Sequence, residues 1–460
     1  MNVVSFFAGC GGLDLGFEQA GFNVVWANEC DESIFETYRY NHPSTNLCKS
    51  DIRELTVADI PDCDGFIGGP PCQAWSEGGK QLGLEDSRGR LFLDYIRLIT
   101  EKKPKFFVIE NVRGIISVRH KNTFESFLSS LESVGYEIHH SMLNAADYAI
   151  PQDRYRIFVV GFRADLNCGF AFPVPHKNRV TLREAIGDIT EEPRRYLNEY
   201  VNPEYDGFFN HDVFTGPFDA KFMARNRVRS WHQPSFTIQA QARNTPLHPQ
   251  APPMIYVNSE RRIFKFGSEH LYRRLSVREC ARIQSFPDKF RFFYHDVRDG
   301  YKMVGNAVPP RLAKYLAIAI RKTLNSVESV IDEPVLVGYY KNEKQYCLIL
   351  SNKLYYVRTG PRRGSLNLSR VEVSPKYLLL HNKRNRSLYK LKREKPAKVS
   401  ASELIQLGFN PLGKEYLAFR LDGDGKVDVE GIDLSRLVID RKGFDSAIPY
   451  ITTLKSMLED

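Results

Sequence analysis

Short apolar runs alternate with longer amphipathic stretches through the first 165 residues of the chain. "NVVSFFA" precedes the helical spacing of "GGLDLGFEQAG", and "NVVWANE" precedes "CDESIFETYRYN". "CDGFIGG" leads into the loop "GGPPCQAWSEGG". "RLFLDYIRLITEKK" and "NTFESFLSSLESVGY" repeat their apolar positions at helical spacing, whereas "KFFVIENV" and "YRIFVVGFRA" read as buried strands. Strands separated by helices of this length predict an α/β fold with a doubly wound, mostly parallel sheet. Such a sheet binds ligands at the carboxyl ends of its strands.

The pattern changes near residue 173. From there to 268 the chain is rich in Pro, Asn, His and aromatic residues, with weak periodicity, as in "WHQPSFTIQAQARNTPLHPQAPP". This predicts an inserted, irregular subdomain after a core at 1–172. Helical pattern returns over 269–330, in "LSVRECARIQSF" and "PPRLAKYLAIAIRKTLNSV". Residues 331–460 open with short alternating runs, "VLVGYY", "QYCLILSN" and "KLYYVRTG", and predict a small β-rich domain with a little helix. "DGDGKVDVEG" superficially matches a calcium loop, but glycine at its fourth position breaks that pattern, so a hairpin turn is expected.

Composition narrows the class. With 42% hydrophobic and 26% charged residues the chain is an ordinary globular one, and 460 residues suffice for a catalytic core with accessory domains. No stretch is long and apolar enough for a membrane span, and "MNVVSFFAGCGG" lacks the basic start of a signal peptide, so a cytoplasmic protein is expected. Eight cysteines include no C-x-x-C pair, which argues for reduced thiols and against structural zinc; no metal is expected. The net charge of +9 is unevenly placed. Residues 331–400 carry 16 Lys/Arg against 5 Asp/Glu, a balance suited to a polyanion.

Candidate chemistry gathers at the strand ends. Gly9, Gly11 and Gly12 follow the first strand and permit close backbone approach to a ligand at a helix N-terminus. Glu29 ends the second strand, where an acid accepts hydrogen bonds from ribose hydroxyls, and Asp51 lies on the same rim. The fourth strand end carries Cys72, behind two prolines and between pairs of glycines: a thiol held at a set angle on a loop that must move. The fifth carries Glu110 and Asn111, and "QDRYRIF" adds Arg154 and Arg156 at alternate positions. A thiol and a carboxyl on neighbouring strand ends reach one substrate, as nucleophile and proton donor.

In this order the motifs "SFFAGCGG", "GGPPCQAWS", "DSRGRLF", "IENV", "QDRYRIF", "RRLSVRECARIQSFPDKF" and "GNAVPPRLA" closely resemble those of the DNA (cytosine-5)-methyltransferase family. The resemblance covers about residues 3–167 and 235–322. It implies the S-adenosylmethionine-dependent methyltransferase fold, with 173–268 as target-recognition region. It also implies methyl transfer from S-adenosyl-L-methionine to carbon 5 of a flipped-out cytosine in duplex DNA. Carried over by motif, Cys72 is the nucleophile, Glu110 the proton donor to N3, and Arg156 the cytosine ligand, with Arg154 supporting. Phe7 would stack on the cofactor adenine beside the Gly9, Gly11 and Gly12 turn. Glu29 would hold the ribose, Asp51 and Ile52 would border the adenine, and Pro71 the methionine end; Asn306 and Val308 belong to the last motif, which folds back beside the first. Gln73 and Ser76 would meet DNA from the mobile loop, and Thr237 and Ile238 match the recognition region's recurring dipeptide.

The likeness to bacterial members implies a monomer in a restriction–modification system, with a cognate endonuclease acting on the same site. Three other readings compete. A tRNA cytosine-5 methyltransferase would carry a Cys-Phe-Thr tripeptide and a compact recognition region, neither of which is present. A silent DNA-binding regulator is opposed by the intact Cys72, Glu110, Arg154 and Arg156. A nuclease in the tail is opposed by the lack of a clear acid–acid–lysine cluster in 331–460.

Overall fold

Valine, isoleucine and phenylalanine fill the first strands because both sheet faces are covered, so the strands carry apolar runs rather than strict alternation. The computed structural model describes residues 1–71, 87–166, 169–176, 178–195, 209–331, 333–358, 375–382, 385–392, 395–413, 415–427, 434, 437, 449–454 and 457. The first unit comprises residues 1–163 and 170–321, the second 164–169 and 322–460.

Seven strands build the sheet of the first unit: β1 (Asn2–Phe6), β2 (Asn23–Asn28), β3 (Asn46–Cys48), β4 (Gly65–Gly68), β5 (Phe106–Val112), β6 (Tyr136–Asn144) and β7 (Tyr155–Arg163). Their order is β3-β2-β1-β4-β5-β7-β6. The first five run parallel, while β7 is antiparallel to both β5 and β6. The doubly wound, mostly parallel expectation therefore holds. β6 is an addition: "YEIHHSMLN" is a half-exposed edge strand whose apolar pattern is too weak to read.

The helices are α1 (Gly12–Gln19), α2 (Phe35–Asn41), α3 (Ser87–Lys102), α4 (Lys121–Ser133), α5 (Leu182–Ile186), α6 (Ala220–Met223), α7 (Val277–Ile283), α8 (Val297–Asn306) and α9 (Pro310–Ile331). Phe92, Tyr95 and Ile99 of α3 and Phe124, Phe127 and Leu131 of α4 pack on Val4, Phe6, Phe107 and Ile109 of the sheet. A second core joins Tyr38 of α2, Ile186 of α5, Val277 and Ala281 of α7, and Tyr301 and Val304 of α8. The described residues of 173–268 hold α5, α6, and the strand pairs β8 (Arg194–Arg195) with β9 (Asp212–Val213) and β10 (Ile255–Asn258) with β11 (Arg261–Ile263).

The second unit is a sheet of β12 (Pro334–Tyr339), β13 (Leu354–Arg358), β14 (Tyr377–His381), β15 (Arg386–Leu391), β16 (Ala397–Ser400), β17 (Glu415–Lys426) and β18 (Tyr450–Thr453). Its path is β13-β17-β15-β14-β12-β18, with β16 against β17. Helices α10 (Glu343–Ser351) and α11 (Ala401–Gln406) complete it. Two details correct the sequence reading. "QYCLILSN" lies in α10, because Asn342 caps the helix by accepting from the Gln345 N–H and Ile349 buries one face. Asp422–Lys426 is not a hairpin turn but the end of β17, where the register to β15 slips from Leu391↔Leu421 to Tyr389↔Lys426 and Gly423 takes φ 92. No helix among the described residues is long and apolar enough to cross a membrane.

What joins the two ends of the first unit is a close approach of α1 to the start of α9. A Cβ on Gly16 would lie 2.3 Å from Ala313 Cβ and 2.5 Å from Pro310 O. Alanine usually stabilises a helix interior by about 1 kcal/mol over glycine. Here overpacking, typically 1–3 kcal/mol, opposes that gain. Gly16→Ala should therefore lower the urea midpoint; an increase would show that α9 yields freely.

Candidate active site

After β1 the chain turns through Phe7 (φ 53), Gly9 (φ 56) and Gly11 (φ 85) before α1 begins at Gly12. Left-handed backbone at a phenylalanine is strained by roughly 1–3 kcal/mol and persists where the surroundings dictate it. The turn is shaped by what lies behind and before it. A Cβ on Gly11 would strike the His42 ring at 2.1 Å, and one on Gly12 would lie 2.5 Å from Val308 O. At Gly9 the same position is open. Gly9 thus fronts the space that Gly11 and Gly12 help to close.

Glu29, just past β2, bonds this turn directly. Its Oε2 accepts from Gly9 N at 2.9 Å, and its Oε1 accepts from Cys30 N and Asp31 N, both at 2.9 Å. Burial raises its pKa, opposed by these N–H donors. Asp31 in turn pairs with Lys302 of α8, which binds the exit of β2 to the last helices.

These groups face a cavity of about 480 Å³. Phe7, Gly9, Gly12 and Glu29 line it together with Asn306 and Val308. Pro70, Pro71, Glu110 and Arg156 continue the same cavity at the ends of β4 and β5. Asp51 and Ile52 do not line it. Asp51 pairs with Arg53 at 2.6 Å, and Ile52 is buried in the core on which Phe7 packs.

The carboxyl of Glu110 sits 2.9 Å (Oε1) from Arg156 Nε, because β7 pairs antiparallel with β5 and sets Arg156 opposite Val112. Glu110 is only 8% exposed. Burial pushes its pKa up, and the positive charges of Arg156 and Arg154 offset part of that rise. A Cβ on Gly69 would come within 3.2 Å of Glu110 Oε2, so glycine there leaves the carboxyl its place. Asn111 secures the adjoining loop: its Nδ2 donates to Pro70 O at 3.2 Å, and its Oδ1 accepts from Val112 N. Cys72, Gln73 and Ser76 lie outside the described residues.

Arg154 does something other than its companion. It is 1% exposed, and its guanidinium donates to Ile238 O (3.0 Å), Gly305 O (2.9 Å) and Ala307 O (3.0 Å). It is a strut that ties the chain entering β7 to residues 238 and 305–307, and it also lines the cavity, a supporting place beside Arg156. Gln152 and Gln284 reinforce it: Gln152 Nε2 donates to Gln284 Oε1 at 2.8 Å, Gln152 Oε1 accepts from Ile238 N, and Gln284 Nε2 donates to Val304 O. Ile238, expected to meet DNA, has its side chain fully buried in the second core. Thr237 Oγ1 donates to Asp153 O, and Ser235 exchanges backbone bonds with Pro151 and Asp153. Residues 235–238 are thereby docked onto the chain at 151–154.

Sequence reasoning missed the Asp31–Lys302 pair and the Gln152–Gln284 contact. Neither leaves a local signal, since the partners stand 271 and 132 positions apart.

A glycine turn and a ribose-height acid sharing one cavity with a buried carboxyl define a nucleotide-cofactor enzyme on a doubly wound sheet. The chain belongs to the C-5 cytosine-specific DNA methylase family, whose model matches residues 1–322. It is a DNA (cytosine-5)-methyltransferase. It is 48% identical over 338 residues to the Type II methyltransferase M.FnuDI of Fusobacterium nucleatum, covering 72% of this chain and 98% of that protein. It is 50% identical over 327 residues to M.MthTI of Methanothermobacter thermautotrophicus, covering 71% and 99%. In fold it is similar to a DNA modification methyltransferase encoded within an E. coli prophage, with a TM-score of 0.55, 24% identity, and coverage of 71% and 99%.

Two outcomes follow from the site. The folded pKa of Glu110 lies above its unfolded value of about 4.3. Its contribution to stability is therefore fully present below that value and lost as pH rises through the folded pKa. Glu110→Gln keeps a neutral group at every pH. The stability of wild type minus that of the variant should fall as pH rises from about 4 to about 8 in urea unfolding; a flat or rising difference contradicts the shift. Arg154→Met strands three carbonyls and should cost at least about 3 kcal/mol. A loss below about 1 kcal/mol would mean that the strut is dispensable.

Proposed function

We propose that the enzyme methylates carbon 5 of a cytosine flipped out of a specific duplex DNA sequence, through a covalent adduct between Cys72 and cytosine C6. We further propose that it protects host DNA as the modification half of a restriction–modification system. The observation that carries the catalytic reading is the Glu110 carboxyl, buried beside Arg156 in the same cavity as the Gly9 turn and Glu29. The Type II names of M.FnuDI and M.MthTI support the protective role.

The cavity fits S-adenosylmethionine. Its volume lies within the range of roughly 300–1,000 Å³ usual for cofactor sites. Gly9 presents bare backbone to it, and Glu29 offers a carboxylate on its wall. Phe7 would hold the adenine, Glu29 the ribose, and Pro71, Asn306 and Val308 the remaining wall. When bound, this cofactor supplies an electrophilic methyl group.

Carbon 5 of cytosine is a poor nucleophile, and the protein's residues change that. The Cys72 thiolate adds to C6 while the Glu110 carboxyl gives its proton to N3, leaving a neutral enamine with electron density at C5. A carboxyl can do this at neutral pH only if its pKa is raised, which burial provides. Arg156 holds the cytosine O2 and orients Glu110. Asn111 fixes Pro70 and so the root of the loop that carries the thiol. After transfer a base removes the C5 proton, the thiolate leaves, and N3 returns its proton to the Glu110 carboxylate as the neutral aromatic ring reforms. Flipping is required because C5 and C6 are inaccessible within the stack. Gln73, Ser76 and Thr237 would contact the DNA.

Cys72→Ala should abolish methyl transfer yet bind S-adenosylmethionine as wild type does, read by calorimetry. Target-site duplex carrying 5-fluorocytosine should trap a covalent complex with the wild type only, because fluorine blocks the last elimination. Methyl transfer without a trapped complex would sink the thiol mechanism.

A further inference from the structure

The family match ends at residue 322, and M.FnuDI and M.MthTI are matched over 98% and 99% of their own lengths by about 70% of this chain. The second unit therefore lies beyond what these relatives share. Its sheet carries an unusual row. On the consecutive strands β13, β17, β15 and β14, Lys353 precedes β13, Arg420 lies within β17, Lys392 follows β15 and Lys376 precedes β14. Backbone hydrogen bonds bring these positions side by side: Lys392 N donates to Arg420 O at 2.9 Å, while Leu421 N donates to Lys353 O at 2.9 Å and Leu391 N to Lys376 O at 2.8 Å, so Lys353 and Lys376 stand opposite the neighbours of Arg420 and Lys392. All four side chains are exposed. Neighbouring strands lie about 4.8 Å apart, so the row extends about 15 Å. Lys376 also pairs with Glu333, which leaves the row strongly positive. Lys392 and Arg420 flank a shallow depression floored by Pro375 and Pro396. Exposed Lys395 adjoins it on the loop after β15.

We propose that this row is a second DNA-binding surface, which grips the phosphate backbone of duplex DNA without reading sequence. Cations gathered on four neighbouring strands can meet successive phosphates, and they hold through charge and not through base edges. Residues 331–400 carry 16 Lys/Arg against 5 Asp/Glu, a composition suited to a polyanion. The choice of duplex DNA as the polyanion rests on the reading that the first unit acts on it.

The test uses the full chain carrying Lys353→Glu, Lys392→Glu and Arg420→Glu together, with a matching glutamine triple variant should charge reversal impair folding. Binding to a labelled duplex that the wild type does not methylate is measured by anisotropy across a salt series. Each lost phosphate contact should flatten the log–log slope by about 0.9, so the triple variant should lose about 2.7. Methyl transfer to target DNA at low salt should stay within about twofold of wild type. An unchanged slope overturns the proposal, as does duplex RNA binding more than about tenfold tighter than duplex DNA. Failure of the wild type to methylate any duplex would refute the catalytic reading instead, while the slope still reports on the row.

Discussion

The cavity exists because residues 305–313 return to the turn after the first strand. Gly12 and Gly16 let α1 meet Val308 and Ala313 at distances no side chain would permit, and Arg154 holds Gly305 O and Ala307 O from beneath. Each part of this contact is far from the others in sequence. Together they make a short glycine loop and the chain from the end of α8 to Val308 line one site. The strained Phe7 and the open front of Gly9 are tolerated there because the rest of the turn is held on all sides.

The same clamp carries the segment around Ile238. Arg154 binds Ile238 O with the hand that also binds the last motif, and Gln152 joins Ile238 N to Gln284. A Cβ on Gly305 would lie 2.3 Å from Ala240 N, so the backbone of this region is pressed against α8 as well. Where residues 235–240 are seated therefore depends on the residues that shape the cavity. Glu110 and Arg156 lie between them, on strands whose antiparallel pairing sets their contact.

Much of this was legible in the sequence. The apolar runs gave the parallel sheet, and the glycines, Glu29 and Glu110 fell at strand ends as the alternation implied. Arg154 and Arg156 could not be told apart, because two residues of strand spacing reveal nothing about which carbonyls the first one meets. Ile238 looked like part of a recognition motif, yet its apolar side chain obeys burial and its role is to anchor. β6 was hidden because an edge strand needs no apolar face, and α10 because eight residues of mixed apolar sequence suit either period. The Asp31–Lys302 pair is a product of folding alone.

The central claim is that the return of the last motif onto Gly12 makes the cofactor site. Calorimetric titration of S-adenosylmethionine into wild type and Gly12→Val measures it directly. The side chain must displace Val308 O, so affinity should fall at least about tenfold, or roughly 1.4 kcal/mol, while far-ultraviolet circular dichroism stays unchanged. Wild-type affinity in a folded Gly12→Val enzyme would contradict the claim.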